Sequence, residues 1–167
     1  MRDMKETFLQ KYDEEHERTM RVLRAFPEDK LDVRPGPEAN TAKQVAWTFV
    51  LERGLGAKVW NDELVKGVPA GSTPPKPPDD WNEMLAALES AHQSFRDLIA
   101  SATDEDLQQK VHFFVAPKTM GEYTRIDWLW FLLFDQIHHR GQLTVYLRLA
   151  GAKVPSVYGP SKDEPWI

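Results

Sequence analysis

Apolar residues recur at three- and four-residue steps along most of the chain, which is the spacing of amphipathic helices. Prolines, glycines and capping residues interrupt this spacing. The uninterrupted stretches predict four long helices, over residues 4–26, 42–66, 79–102 and 125–150. The fourth is apolar nearly all round in its first half, so we expect it in the middle of a bundle.

The segments between the predicted helices differ in character. Five prolines and two glycines from Gly67 to Pro78 predict a long crossover loop between the second and third helices. Thr103 with Asp106 suggests a short capped turn, and residues 111–115 form an extended piece with no obvious pairing partner. The chain therefore predicts four helices joined by loops of unequal length.

Length and composition favour one globular domain. The 167 residues are 41% hydrophobic and 28% charged, which is enough apolar surface for one core and too little chain for two. We expect a single domain over residues 1–167. The irregular tail, 152–167, holds Val157, Tyr158 and Trp166, and these residues suggest that it packs against the bundle.

Charge and hydropathy exclude several classes of partner. The net charge is −5, and no long run of lysine and arginine offers a surface for phosphate backbones, so nucleic acid is not expected. The longest apolar run, residues 128–134, is too short to cross a membrane, and the charged amino terminus is not signal-like. These features predict a cytoplasmic protein. Because cysteine is absent, any metal must be held by nitrogen and oxygen atoms.

The polar segment 135–142 follows the apolar run directly and is the most informative feature for chemistry. On a helix, Asp135, His139, Gln142 and Tyr146 share one stripe with Leu132, which predicts that they point into the bundle. A buried carboxylate and imidazole are costly unless they pair or bind a cation.

Asp135 and His139 lie one turn apart and can reach the same divalent metal ion. A third ligand would come from a facing helix, where Glu52 and Thr48 lie one turn apart on the apolar stripe. His138 is rotated by about 100° from its neighbour, so it is expected to face another helix or a subunit interface.

Plainer interpretations remain open. An Asp/His pair on one helix is often only an ion pair, and a lone glutamate such as Glu52 is usually solvated. Gly141 in mid-helix costs about 1 kcal/mol relative to alanine, which suggests the close approach of another helix or a ligand.

The string His138-His139-Arg140-Gly141-Gln142-Leu143, together with the tail motif at 158–161, resembles the DinB family. That family shares a superfamily with YfiT-like metal-dependent hydrolases, and the resemblance covers essentially the whole chain. It implies an all-α four-helix bundle of up-down-down-up topology with a long loop between helices 2 and 3. It also implies a homodimer and a divalent metal bound between helices.

The family's metal is typically held by three histidines, of which only His139 has a counterpart in this chain. Asp135 stands at the second position and Thr48 at the third. We hypothesise that Glu52 supplies the lost ligand, giving a Glu/Asp/His set suited to Mn, Fe, Ni or Zn. The residues assigned to orienting the ligands or a substrate are Thr48, His138, Gln142 and Tyr146.

Two functions follow from this resemblance. The first is a divalent-metal-binding protein that acts as a metal-dependent transferase or hydrolase on a small molecule, with a thiol cosubstrate as one option. The second is a homodimer without metal, in which the metal triad has been lost and the protein binds a small ligand or serves a stress response.

Overall fold

Four long helices form most of the protein in this computed structural model, which describes residues 3–67 and 71–167. The long helices are α1 (Met4–Arg24), α2 (Ala42–Trp60), α3 (Trp81–Ala100) and α5 (Arg125–Leu149). The shorter elements are a 3-10 turn (Glu28–Lys30), the helix α4 (Asp104–Gln108) and the strands β1 (Lys110–Ala116) and β2 (Thr119–Thr124).

The long helices pack as a bundle in which α1 and α2 each lie mainly against α3 and α5. The order is up-down-down-up, so α2 and α3 run in the same direction. Parallel neighbours need a long crossover between them, and the segment between Trp60 and Trp81 supplies it. The predicted fold class is therefore confirmed, with one small β-hairpin added to it.

A layer of buried polar side chains divides the core into two apolar clusters. Along each long helix, these polar residues lie between the residues of one cluster and those of the other. The members of the layer are Glu15, His16, Thr19, Glu52, Arg53, His92, Gln136 and Arg140. The middle of the bundle is thus polar, and it is there that α2 meets α5.

Arg140 is the best-satisfied charge of this polar layer. Its guanidinium lies 2.6 Å from the Glu15 carboxylate and donates to the Tyr158 hydroxyl at 2.5 Å. The same hydroxyl donates to Glu15 at 2.5 Å. This triangle ties the tail to α1 and α5, because Tyr158 belongs to the segment that follows α5.

The second helix ends at Trp60 and not at Lys66, so the predicted carboxyl end was wrong. Asp62 adopts the left-handed conformation, with φ at 55°, which stops the helix. Its carboxylate accepts the backbone N–H of His112 at 2.8 Å and contacts the ring Nδ1 at 3.1 Å. The first and third helices also end slightly early, at Arg24 and Ala100.

The extended piece at 111–115 has a partner that its sequence did not reveal. β1 pairs antiparallel with β2, with Val111 opposite Tyr123 and Phe113 opposite Gly121. A side chain at Gly121 would collide with the Val115 side chain unless that side chain shifted, which favours glycine there. Because β2 runs directly into α5, this hairpin fixes the start of the helix that carries the candidate site.

The capping predictions agree with the structure. Thr103 and Asp106, predicted to form a short capped turn, make a capping box at the start of α4. Asp80 caps α3, where its side chain accepts the backbone N–H of Glu83 at 2.9 Å. In the described part of the chain, no helix combines the length and the apolar character needed to cross a membrane.

Replacing Asp62 by alanine should lower the free energy of unfolding by about 1–2 kcal/mol, because the partly buried N–H of His112 loses its acceptor. Asp62→Asn is the matched control, since asparagine tolerates the left-handed conformation and keeps an acceptor oxygen. Urea denaturation measures both variants. Equal stability of wild type and Asp62→Ala would contradict the anchoring role.

Candidate metal centre

The contact between α2 and α5 brings together Glu52, Asp135 and His139. The His139 Nε2 atom lies 3.6 Å from an oxygen of Glu52 and 3.6 Å from an oxygen of Asp135. One ligand atom from each residue lies within 4.8 Å of the other two. Among the described residues, this is the group of three acidic or imidazole side chains close enough to hold one metal ion.

Glu52 is the unusual member of this group. Only 6% of the residue is exposed, and neither carboxylate oxygen has a hydrogen-bond partner within the described chain. Burial, the neighbouring Asp135 charge and the hydrogen bond that a protonated Glu52 can donate to Asp135 raise the pKa of Glu52 to about 9, although Arg53 opposes the shift. Buried acceptors without donors call for a proton or a cation. The three side chains therefore fit a divalent metal by donor type and by unmet bonding capacity.

Asp135 and His139 lie at the edge of the bundle, not in its interior as the shared stripe with Leu132 predicted. The Asp135 side chain is 43% exposed and that of His139 is 23% exposed. The inward-facing polar residues of α5 are Gln136 and Arg140, which directly follow Asp135 and His139 in the sequence. A step of one residue turns a helix by about 100°, which moves the pair to the α2 side.

The Gln142 side chain contacts His139, one turn earlier on α5. Its Oε1 atom lies 3.2 Å from His139 Nδ1, and its Nε2 atom lies 2.9 Å from His138 Nε2. When His139 Nδ1 carries the proton and donates to Gln142, the Nε2 lone pair faces the two carboxylates. The Phe49 ring, nearly perpendicular to the imidazole, packs beside it at 6.5 Å between centroids.

The other residues assigned to orienting the ligands or a substrate lie further from the candidate metal ligands. Thr48 lines the same cavity, but its hydroxyl donates to the Gln44 carbonyl at 3.3 Å. Tyr146 is buried in an apolar cluster and donates to the Asn40 carbonyl at 3.0 Å, so it lies outside this cavity's walls. His138 is exposed at the surface, where it contacts Gln142.

Glu52, Asp135 and His139 open into a cavity of about 1140 Å³ along the outer side of α2. Its outer wall is the segment 71–80, here called the strap. Trp47 Nε1 donates to the Pro75 carbonyl at 2.7 Å, and Lys43 Nζ donates to the Asp79 carbonyl at 3.1 Å. The sequence showed this segment only as a loop, and its proline content was the available signal for a stiff wall.

This chain is similar throughout its length to known proteins. The model of the DinB family matches residues 1–166. The protein YrdA of Bacillus subtilis (strain 168), itself uncharacterized, is 29% identical over 158 residues, which is 94% of this chain and 89% of YrdA.

Two solved structures share the fold. A DinB-like protein from Bacillus cereus ATCC 10987 has a TM-score of 0.75 at 28% identity, over 92% of this chain and 97% of its own. YfiT from Bacillus subtilis is described as a probable metal-dependent hydrolase with an unusual four-helix bundle topology. It has a TM-score of 0.65 at 17% identity, over 89% of both chains.

Metal-free protein should lose stability as the pH rises, because of Glu52. Its folded pKa, about 9, lies above the ordinary value of 4.5, so ionisation costs the folded state throughout that window. Glu52→Gln should escape the loss, with a difference of roughly 2.5 kcal/mol accumulated between pH 5 and pH 7. Urea midpoints in the presence of a chelator, at pH 5 and pH 7, measure it.

Glu83→Gln is the control for this pH experiment, since Glu83 is an exposed carboxylate at the same cavity. It should keep the pH dependence of the wild type. The interpretation would be wrong if Glu52→Gln and wild type lost stability in parallel.

Proposed function

Because the chain belongs to the DinB family, we propose that it binds a divalent metal through Glu52, Asp135 and His139 and acts on a small molecule in the adjoining cavity. The observation that carries the proposal is the pair of buried Glu52 oxygens without hydrogen-bond partners in the described chain. They lie beside a second carboxylate and an imidazole nitrogen. Carboxylate oxygens and imidazole together suit Mn, Fe, Ni or Zn.

A bound divalent metal would supply Lewis-acid chemistry, lowering the pKa of a water or thiol to give a nucleophile at neutral pH. The residues of this chain would prepare that chemistry. Glu52 would bind the metal as a carboxylate after losing its proton to solvent, and Gln142 would keep the His139 Nε2 lone pair directed at the metal. The half-exposed Asp135 leaves the centre open to the cavity, where a substrate can reach it. A metal-dependent transferase or hydrolase fits this arrangement.

The alternative is a metal-free relative that binds a small ligand or serves a stress response. It is favoured by the raised pKa of Glu52, because a proton alone can neutralise the buried carboxylate. It is also favoured by Thr48, whose hydroxyl is already used by the Gln44 carbonyl. The cytoplasmic location and the lack of a nucleic-acid partner stay predictions from the sequence.

Untagged wild-type protein should bind one divalent metal per chain after incubation with Mn, Ni or Zn. His139→Ala and Asp135→Asn should each weaken that binding by about 100-fold or more, since even outer partners of metal ligands are worth about 10–100-fold. Thr48→Ala is the matched control and should bind as wild type does. Elemental analysis and isothermal titration calorimetry give the stoichiometry and affinity.

Wild type that stays empty after these incubations would support the metal-free alternative. If the His139 and Asp135 variants lower stability without changing metal affinity, the two residues form only a structural ion pair.

We further propose that the protein is a homodimer that uses the exposed face of α5. Four large apolar side chains lie on one stripe of that helix, with exposed fractions of 40–62%; they are Phe131, Phe134, Val145 and Leu149. His138 and Gly141 lie on the same stripe, and a Cβ placed at Gly141 meets no described atom within 4 Å apart from the adjacent backbone of α5. A two-fold axis would place this stripe against its own copy.

Light scattering should give wild type a mass of twice 19.3 kDa. Phe134→Glu combined with Val145→Glu should give a monomer, because like charges would then meet across the two-fold axis. Ser94→Glu, at an exposed position of α3, is the control and should stay dimeric. A wild-type particle of 19.3 kDa would reject the dimer.

A further inference from the structure

The cavity beside Glu52 is walled mainly by apolar side chains, which bears on the kind of molecule it holds. From α2 it receives Leu51 and Leu55, both half-buried, and from α3 it receives Ala87 and Ala91. The strap adds prolines, among them Pro75. A concave space with mainly apolar walls is typical of sites for molecules that bury apolar surface.

The cavity is also long. Its lining residues on α2 extend from Trp47 to Lys58, and at 1.5 Å per residue this is about 17 Å of helix. The small side chains of Ala87 and Ala91, one turn apart on α3, leave the space open. The volume of about 1140 Å³ slightly exceeds the usual range of ligand pockets, roughly 300–1,000 Å³.

Charge is unevenly distributed around this space. The buried charge-bearing group is Glu52, which belongs to the candidate metal centre with Asp135 and His139. The other charged lining residues, Lys58, Lys76 and Glu83, are exposed to solvent. Exposed charges contribute little to binding because water screens them. The cavity therefore has one polar end, at the candidate metal centre, and apolar walls along the rest of its length.

We propose that the substrate is a small molecule with an extended apolar body and one metal-binding head group. The inference rests on the proposed metal function. The head lies at Glu52, Asp135 and His139, and the body lies along α2 between Leu51, Leu55 and the prolines of the strap.

A series of straight-chain alkyl hydroxamates, from acetohydroxamate to decanohydroxamate, tests the proposal on metal-loaded protein by isothermal titration calorimetry. The hydroxamate head binds divalent metals and stays constant while the body grows. Each methylene that enters the cavity should tighten binding about fourfold, which corresponds to about 0.8 kcal/mol per buried CH₂ group. Affinity that does not change with chain length would overturn the proposal.

Ala87→Trp should remove the dependence on chain length by filling the cavity, while acetohydroxamate and metal still bind. Ala86→Trp is the matched control, because Ala86 is exposed on the same helix and does not line the cavity. Gly54→Phe provides a second filling variant on α2, where a Cβ added at Gly54 meets no described atom within 4 Å apart from the helix's own adjacent backbone. Equal effects of Ala86→Trp and Ala87→Trp would contradict the proposed location.

The same series of straight-chain alcohols, which lack a metal-binding head, separates this inference from the proposed function. If the wild type binds no metal, the proposed function fails. The proposal that the cavity binds an apolar body would still be supported if alcohol affinity rose with chain length in wild type and did not rise in Ala87→Trp. Alcohol affinity that is flat in both proteins would overturn it.

Discussion

Glu52 and Asp135 face each other across the contact between α2 and α5, and the geometry of the site depends on how their charges are neutralised. Burial has removed water from Glu52 without providing a donor from the described chain. Two ionised carboxylates in this position would repel each other in a medium of low dielectric constant. A proton on Glu52 is the simplest way to remove this repulsion, and burial and the Asp135 charge favour it by raising the pKa of Glu52. A divalent cation is the stronger remedy, because it attracts both carboxylates and uses the His139 lone pair as well.

The side chains of the segment around His139 point in three directions, and those in each direction make a different kind of contact. His139 and Gln142 face the α2 side and build the candidate centre. Arg140 points inward, where Glu15 and the Tyr158 hydroxyl hold it. His138 faces outward with Gly141. Successive residues of a helix differ by about 100°, so a short string can serve the site, the core and the surface together.

Local patterns in the sequence predicted the local parts of this structure. The helical period placed Asp135, His139 and Gln142 on one side of α5, and cap chemistry found the start of α4 at Thr103. The residues that meet across the bundle were harder to predict. Glu52 could be proposed only as a replacement for a missing ligand, since its burial and lack of donors arise from the packing of α2 on α5.

The errors share the same physical origin. The end of α2 depends on Asp62, whose carboxylate binds the backbone of a strand 50 residues further along the chain. The partner of β1 is a strand that contains Gly121, whose sequence has little strand character on its own. Asp135 was predicted to point into the bundle, but the polar side chains of α5 that do so belong to Gln136 and Arg140, each one residue later than the predicted pair. Contacts made by distant residues decided all three.

The topology of the bundle accounts for the wall of the cavity. α2 has 19 residues, a length of about 28 Å, and the chain must return over this distance before α3 can run parallel to it. An extended chain needs only about nine residues for that path, whereas residues 61–80 are available. The extra length allows the strap to stand off from α2 and enclose space.

Prolines suit the wall that the strap forms, because they present apolar rings to the cavity and have no N–H group to leave unpaired. The Pro75 carbonyl accepts from Trp47 and ties the strap to α2. The connection that the fold requires thus becomes the boundary of the site.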